Sequence, residues 1–148
     1  MSALEETLEL LEWPLLCQQL SSFASTLQGR RHCCLGALPD SLPESLILQA
    51  RTQEIASLDG LLDGGLSFQG VGDLDMTLLR CSKGGVASGE ELLTVADTLS
   101  AARRLRRQID DPELRPVCTA LLADVATLPE LEQRLKFAIE EGGRVADR

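Results

Sequence analysis

Two serine-led capping boxes, Ser41-Leu-Pro-Glu44 and Ser88-Gly-Glu-Glu91, mark the starts of two long helices. In each, a serine hydroxyl and a carboxylate three residues on satisfy orphan amide donors reciprocally. Around them six prolines and twelve glycines fall where helices should begin or end, and apolar residues recur at helical spacing in the segments between. This punctuation predicts an all-α fold, an irregular bundle of about seven or eight helices forming a single domain over residues 1–148.

A first helix is expected from Ala3 to Leu11, with Leu4, Leu8 and Leu11 on one face, and a second over 14–23 opened by Pro14. Ser25 or Thr26 caps a third, which ends at Gly36. The helix behind Ser41 carries Leu46, Ala50, Ile55, Leu58 and Leu62, and Gly64-Gly65 stops it. Leu66, Phe68 and Val71 alternate with small or polar residues, which allows a short extended segment at 66–71. Asp73 is the expected cap of a helix from Leu74 to Ser82. The helix behind Ser88 runs to Ile109 with Leu92, Val95, Ala96, Leu99, Ala102 and Ile109 inward. Asp111-Pro112 predicts a further cap and first turn, leading a helix with Leu114, Cys118, Leu121, Leu122 and Val125. The last helix starts at Pro129 and is expected to stop at Gly142-Gly143.

Charge narrows the function. With 23 acidic against 14 basic residues the net charge is −9, a field that repels phosphate backbones and anionic membranes. Four aromatic rings, Trp13, Phe23, Phe68 and Phe137, leave little for a base-stacking platform. No apolar run approaches the length of a membrane span, and the acidic start MSALEETLELLEW differs from a basic leader, so a cytoplasmic setting is expected.

Catalytic constellations are scarce. Five cysteines, at 17, 33, 34, 81 and 118, show no C-x-x-C spacing and read as packed thiols, not a disulfide framework or metal site. The single histidine, His32, is the only base on which a nucleophilic triad can be built, and it reads as a surface residue near a helix end. Asp73 and Asp75 have the oxygen chemistry magnesium takes, but capping accounts for them more cheaply. Gly70-Val-Gly72 lacks the third glycine of a dinucleotide fingerprint, and no phosphate-cradling G-x-x-x-x-G-K-[ST] loop occurs. No catalytic, cofactor-binding or metal residue is therefore nominated. One basic concentration stands out, Arg103, Arg104, Arg106 and Arg107 near a helix C-terminus, where cations complement the macrodipole. Four arginines exceed what that needs, and Arg103, Arg104 and Arg107 are the candidate nucleic-acid or partner contacts.

Several segments in order carry a family likeness: ETLELLEW at Glu6–Trp13, FASTLQGR at Phe23–Arg30, ALPD at Ala37–Asp40, TQEIASLDG at Thr52–Gly60, the stretch Gly70–Arg107, and LPELEQRLKFAIEEGGRVADR to the end. Most specific are G-G-V-x-S-x-E-E-L at Gly84–Leu92 and A-x-x-L-x-x-A-R-R-L at Ala96–Leu105. Over nearly its whole length the chain resembles the N-terminal region of the MutS-type ATPases, specifically the second bacterial family (MutS-two), whose members couple an ATPase to a C-terminal Smr nuclease.

The resemblance implies a helical core module that precedes the lever and clamp helices. It further implies a homodimeric, ATP- and magnesium-dependent, DNA-binding endonuclease as parent. Such parents suppress recombination by acting on branched DNA or rescue stalled ribosomes. The chain stops at Val145-Ala-Asp-Arg148, where family members continue through a D-x-A-S pattern, so it reads as a truncated piece. It carries neither a Walker A loop nor an Smr segment. The expectation for these residues is thus a non-catalytic module docking the remaining domains of its parent. The alternative is a free-standing helical adaptor for protein–protein interaction.

Overall fold

The computed structural model describes residues 3–139 and Arg144, and eight helices run along them. They are α1 (Ala3–Leu10), α2 (Trp13–Ser21), α3 (Leu27–Leu35), α4 (Leu42–Leu61), α5 (Asp75–Ser82), α6 (Gly89–Ile109), α7 (Pro116–Leu122) and α8 (Pro129–Ala138). The all-α expectation holds. The chain divides into two compact units, Met1–Asp40 and Ser41–Arg148.

In the first unit, α1 and α2 are joined through Glu12, whose φ of 52° puts a non-glycine residue in the left-handed region. Pro14 then sits in the first turn of α2, where a missing N–H costs nothing. Thr26 caps α3 by accepting from the Gly29 amide at 3.0 Å, and Gly36 ends it with φ 56°. Glycine is required at 36: a Cβ there would lie 2.6 Å from Cys17 Sγ and 2.7 Å from Trp13 Nε1. The Trp13 indole donates to the Gly36 carbonyl at 3.0 Å, so one ring ties the start of α2 to the end of α3 over a buried Cys17.

In the second unit the serine caps lie where the sequence places them. Ser41 accepts from the Glu44 amide, and Ser88 with Glu91 forms the full reciprocal box, the Ser88 amide donating to Glu91 Oε2 at 2.7 Å. Tertiary packing then decides which faces turn inward. The α6 helix packs on α8 and α7, and α7 packs on α4. Ala96 and Ala101, 0% and 1% exposed, are the buried side chains of α6. Ala102, expected inward, is exposed instead. The reason is the loop at 65–74, which lies against the Ala101 side: a Cβ on Gly70 would meet Ala101 Cβ at 3.6 Å and the Asp97 carbonyl at 3.3 Å.

Three further expectations are corrected. No strand forms at 66–71; that stretch is irregular backbone and turn, held by side chains of α6 instead of a ladder. Asp73 is not the cap residue of α5: Leu74 occupies that position, and the Asp73 carboxylate accepts from the Asp75 amide in a local turn. Asp111-Pro112 opens a turn, not a helix. The Asp111 carboxylate accepts from the Glu113 and Leu114 amides, but Pro116 forces Arg115 out of helical backbone (φ −137°, ψ 57°) and α7 starts only at Pro116. The predicted stop at Gly142-Gly143 lies outside the described residues.

Candidate functional site

The nominated arginines leave α6 in different directions, and what each meets is specific. Arg103 makes a two-pronged contact with Glu132 of α8, Nε and Nη2 each 3.1 Å from a carboxylate oxygen. Lys136, one turn further along α8, adds a third bond to the same carboxylate at 3.1 Å. Glu132 is 5% exposed, so this acid is buried with two cations upon it. The Arg103 hydrogen bond outweighs burial, which pushes the other way, and with Lys136 and Ser100 it holds the Glu132 carboxyl down to about 2.

Arg104 reaches the irregular loop, donating to the carbonyls of Ser67 at 3.1 Å and Gln69 at 2.7 Å. Thr98 completes that clamp: its hydroxyl accepts from the Gly72 amide at 2.9 Å and donates to α6's own Thr94 carbonyl at 2.8 Å. A side chain at Gly72 would run into the Thr94 methyl. The Gly70-Val-Gly72 pair is thus explained by close backbone approach to a helix. Arg106 donates to the Val125 carbonyl ahead of α8 and pairs with Asp110 at 3.9 Å. Arg107 is exposed, and no described residue bonds its guanidinium.

The cation at the end of α6 is one that sequence reading passed over. Arg115, 9% exposed, folds back to donate to the carbonyls of Ile109 at 2.8 Å and Gln108 at 3.2 Å, with Asp111 3.3 Å from its guanidinium. It satisfies orphan carbonyls and complements the negative end of the dipole at once. The only sequence signal for it is an arginine just before Pro116.

Two acids act comparably elsewhere. Glu91 of the capping box also accepts from Arg80 and from Thr77 at 3.2 Å, linking α5 to α6. The Arg80 bond first, then the Ser88 amide, hold its carboxyl down to about 2. Glu54 of α4 accepts from the Val117 and Cys118 amides at 3.1 and 2.8 Å, capping α7 from a distant helix. Burial pushes the Glu54 carboxyl up, but those amide bonds and Arg115 outweigh it and leave it low.

His32 and Cys33 line a concavity of about 230 Å³ with Cys17, Leu16 and Trp13. The described cysteines are all free thiols, and Cys118 is buried with its thiol pushed up to about 11, first by burial and then by Glu54. Among the described residues no group of three or more His, Cys, Asp or Glu side chains is placed to hold a metal ion, and no helix is long and apolar enough to cross a membrane. The space beside Gly70 and Gly72 is taken up by Asp97, Ala101, Thr94 and Thr98 of α6.

The fold and the α6 network define a helical scaffold, in which one long helix gathers loops and neighbouring helices by its arginines. Its relatives are specific. The chain is 42% identical over 144 residues to "Endonuclease MutS2" of Synechocystis sp., 32% over 148 to that of Symbiobacterium thermophilum, and 30% over 149 to that of Bacillus mycoides. Each alignment takes in 97% of this chain but only 18–19% of the relative. The chain is therefore homologous to a segment of the MutS2 endonucleases, as its motifs imply, and spans less than a fifth of their length. No family model matches the chain, and no solved structure matches it.

Proposed function

We propose that these residues are a non-catalytic helical module of a MutS2-type protein, whose role is to dock and position the parts of its parent that carry ATPase, nuclease and DNA-clamping activity. The observation that carries this reading is the coverage: the similarity takes in almost all of this chain and less than a fifth of each relative. Burial supports it. Among the described residues the buried apolar side chains are Cys17, Leu58, Ala96, Ala101, Cys118 and Ile139, while Leu10 and Val86 are 84% and 85% exposed. A domain that must stand alone buries more of its leucines.

On this reading ATP and magnesium are held by the parent's other domains, the parent acts as a homodimer, and its substrate is branched DNA or a stalled ribosome. The test is biochemical. The 148-residue chain should show ATP hydrolysis and DNA nicking at background, and should restore both to a full-length protein from which these residues have been deleted and to which the chain is added back. Stoichiometric ATP binding by the chain in calorimetry, or magnesium-dependent nicking that survives repurification, overturns the non-catalytic assignment. The alternative is a free-standing adaptor that covers these helix faces by binding another protein; a native reading frame ending at Arg148 would select it.

A further inference from the structure

We infer that the groove between α4 and α7 is a docking site for an acidic amphipathic helix, one that brings a carboxylate to Arg51 and lays leucine-like side chains beside it. The groove is a concave space of about 530 Å³. Ile47 and Arg51 line it from α4, Val117, Ala120 and Leu121 line it from α7, and Asp124 stands just past the end of α7. Spacing sets this up: 47 and 51 are one turn apart on α4, and 117, 120 and 121 follow i, i+3, i+4 on α7, so each helix turns one stripe to the groove. Ile47, Ala120 and Leu121 are exposed, which leaves an apolar floor open beside a single cation.

Arg51 selects the occupant. Its Nε is shut away from solvent without a hydrogen-bond partner, and no described residue bonds or ion-pairs the rest of its guanidinium. Arg104 also has a buried, unbonded Nε, but its Nη2 is engaged by the Ser67 and Gln69 carbonyls; Arg51 has no such bond. The acids nearby do not serve it. Glu54, three residues on, gives its carboxylate oxygens to the Val117 and Cys118 amides, and Asp124 is exposed and makes no ion pair with Arg51. The Cys118 thiol, which donates to the Arg51 carbonyl at 3.7 Å, is pushed up to about 11, first by burial, and stays neutral. A half-buried cation short of acceptors is costly, and a carboxylate on its outer nitrogens supplies charge-assisted bonds and the missing counter-charge. The apolar flank fixes the rest of the occupant: a helix laid in the groove covers Ile47, Val117 and Leu121 with leucine-like side chains a turn from that carboxylate. A phosphate backbone would leave this floor bare and meet the repulsion of a chain of net charge −9. The inference is independent of what the parent protein does.

The probe is the amidated peptide acetyl-LEELLELLEELLEL, titrated into the 148-residue chain in a calorimeter. Salt at about 0.15 M screens exposed charges more than about 8 Å apart and leaves a direct contact with Arg51 in force. Arg51→Gln removes the cation, Arg51→Lys keeps it, and Leu121→Gln changes the apolar flank at an exposed position. Arg107→Gln alters net charge equally at an exposed position on α6. Circular dichroism and the denaturation midpoint check that each variant folds. The wild type and Arg107→Gln should bind the peptide with equal affinity. Arg51→Gln and Leu121→Gln should each lose about tenfold or more, and Arg51→Lys should lose less than Arg51→Gln. The peptide with glutamine in place of every glutamate should bind the wild type at least about tenfold more weakly. No measurable binding, equal losses in Arg51→Gln and Arg107→Gln, undiminished binding of the glutamine peptide, displacement of the peptide by a random-sequence DNA duplex, or self-association of the chain through this face in sedimentation would overturn the assignment.

Discussion

Glu132 shows how much one side chain organises here. A nearly buried carboxylate with Arg103 and Lys136 upon it stabilises the α6–α8 contact only while it is ionised. Its folded-state value, about 2, lies below the unfolded value of about 4.3, so the stabilisation is complete above about pH 5 and is lost as pH falls toward 2. Glu132→Gln should lower stability by roughly 1–3 kcal/mol at neutral pH and flatten the acid limb of a stability–pH curve; an unchanged limb would show that other carboxylates govern it. Cys118 offers a kinetic counterpart. With its thiol raised to about 11 and buried, it should react with a disulfide reagent at pH 8 only on unfolding, whereas exposed Cys34 and Cys81 should react at once. Glu12 is the strained residue: replacing it with glycine should raise stability by up to about 1 kcal/mol in denaturant unfolding, since left-handed backbone costs a non-glycine residue more than it costs glycine.

Among the elements, those whose signals are local could be read directly. Ser41, Thr26, Ser88 and Gly36 act within four residues of themselves, and each stands at the helix end the sequence assigns to it. What escaped the sequence is non-local. Nothing near Arg104 announces that it holds carbonyls 35 and 37 residues back, nor anything near Glu54 that it caps a helix 63 residues on. Pro116 was legible in principle, because a proline four residues after Pro112 forbids one continuous helix. The arginine cluster was visible as a concentration of charge, but which guanidinium is engaged depends on tertiary neighbours. Two element-level predictions follow from geometry. Ser88→Ala should cost about 1 kcal/mol by denaturation midpoint. Gly72→Ala should loosen the 65–74 loop from α6, read as faster exchange of the residue-72 amide and a lower midpoint, because the added methyl would meet Thr94.

At the scale of the whole molecule, the arginines of α6 separate two roles. Arg103→Gln should destabilise the chain, because it strips a buried carboxylate of its principal partner, so loss of DNA affinity on that change would not by itself mark a phosphate contact. Arg107→Gln is the clean substitution: exposed and unbonded among the described residues, it should leave the fold intact. In a full-length protein it should then weaken binding to branched DNA, and reduce its salt dependence, only if this face touches phosphate. On the proposed reading, the chain's exposed apolar faces are covered within a larger protein. Hydrogen exchange on the isolated chain and on the full-length protein from the same reading frame tests it most directly. Amides of α1, α2 and the start of α4, where Leu10, Leu16, Leu42 and Leu46 stand in solvent, should exchange at least about tenfold more slowly in the full-length protein. Identical exchange rates in the two would contradict the claim.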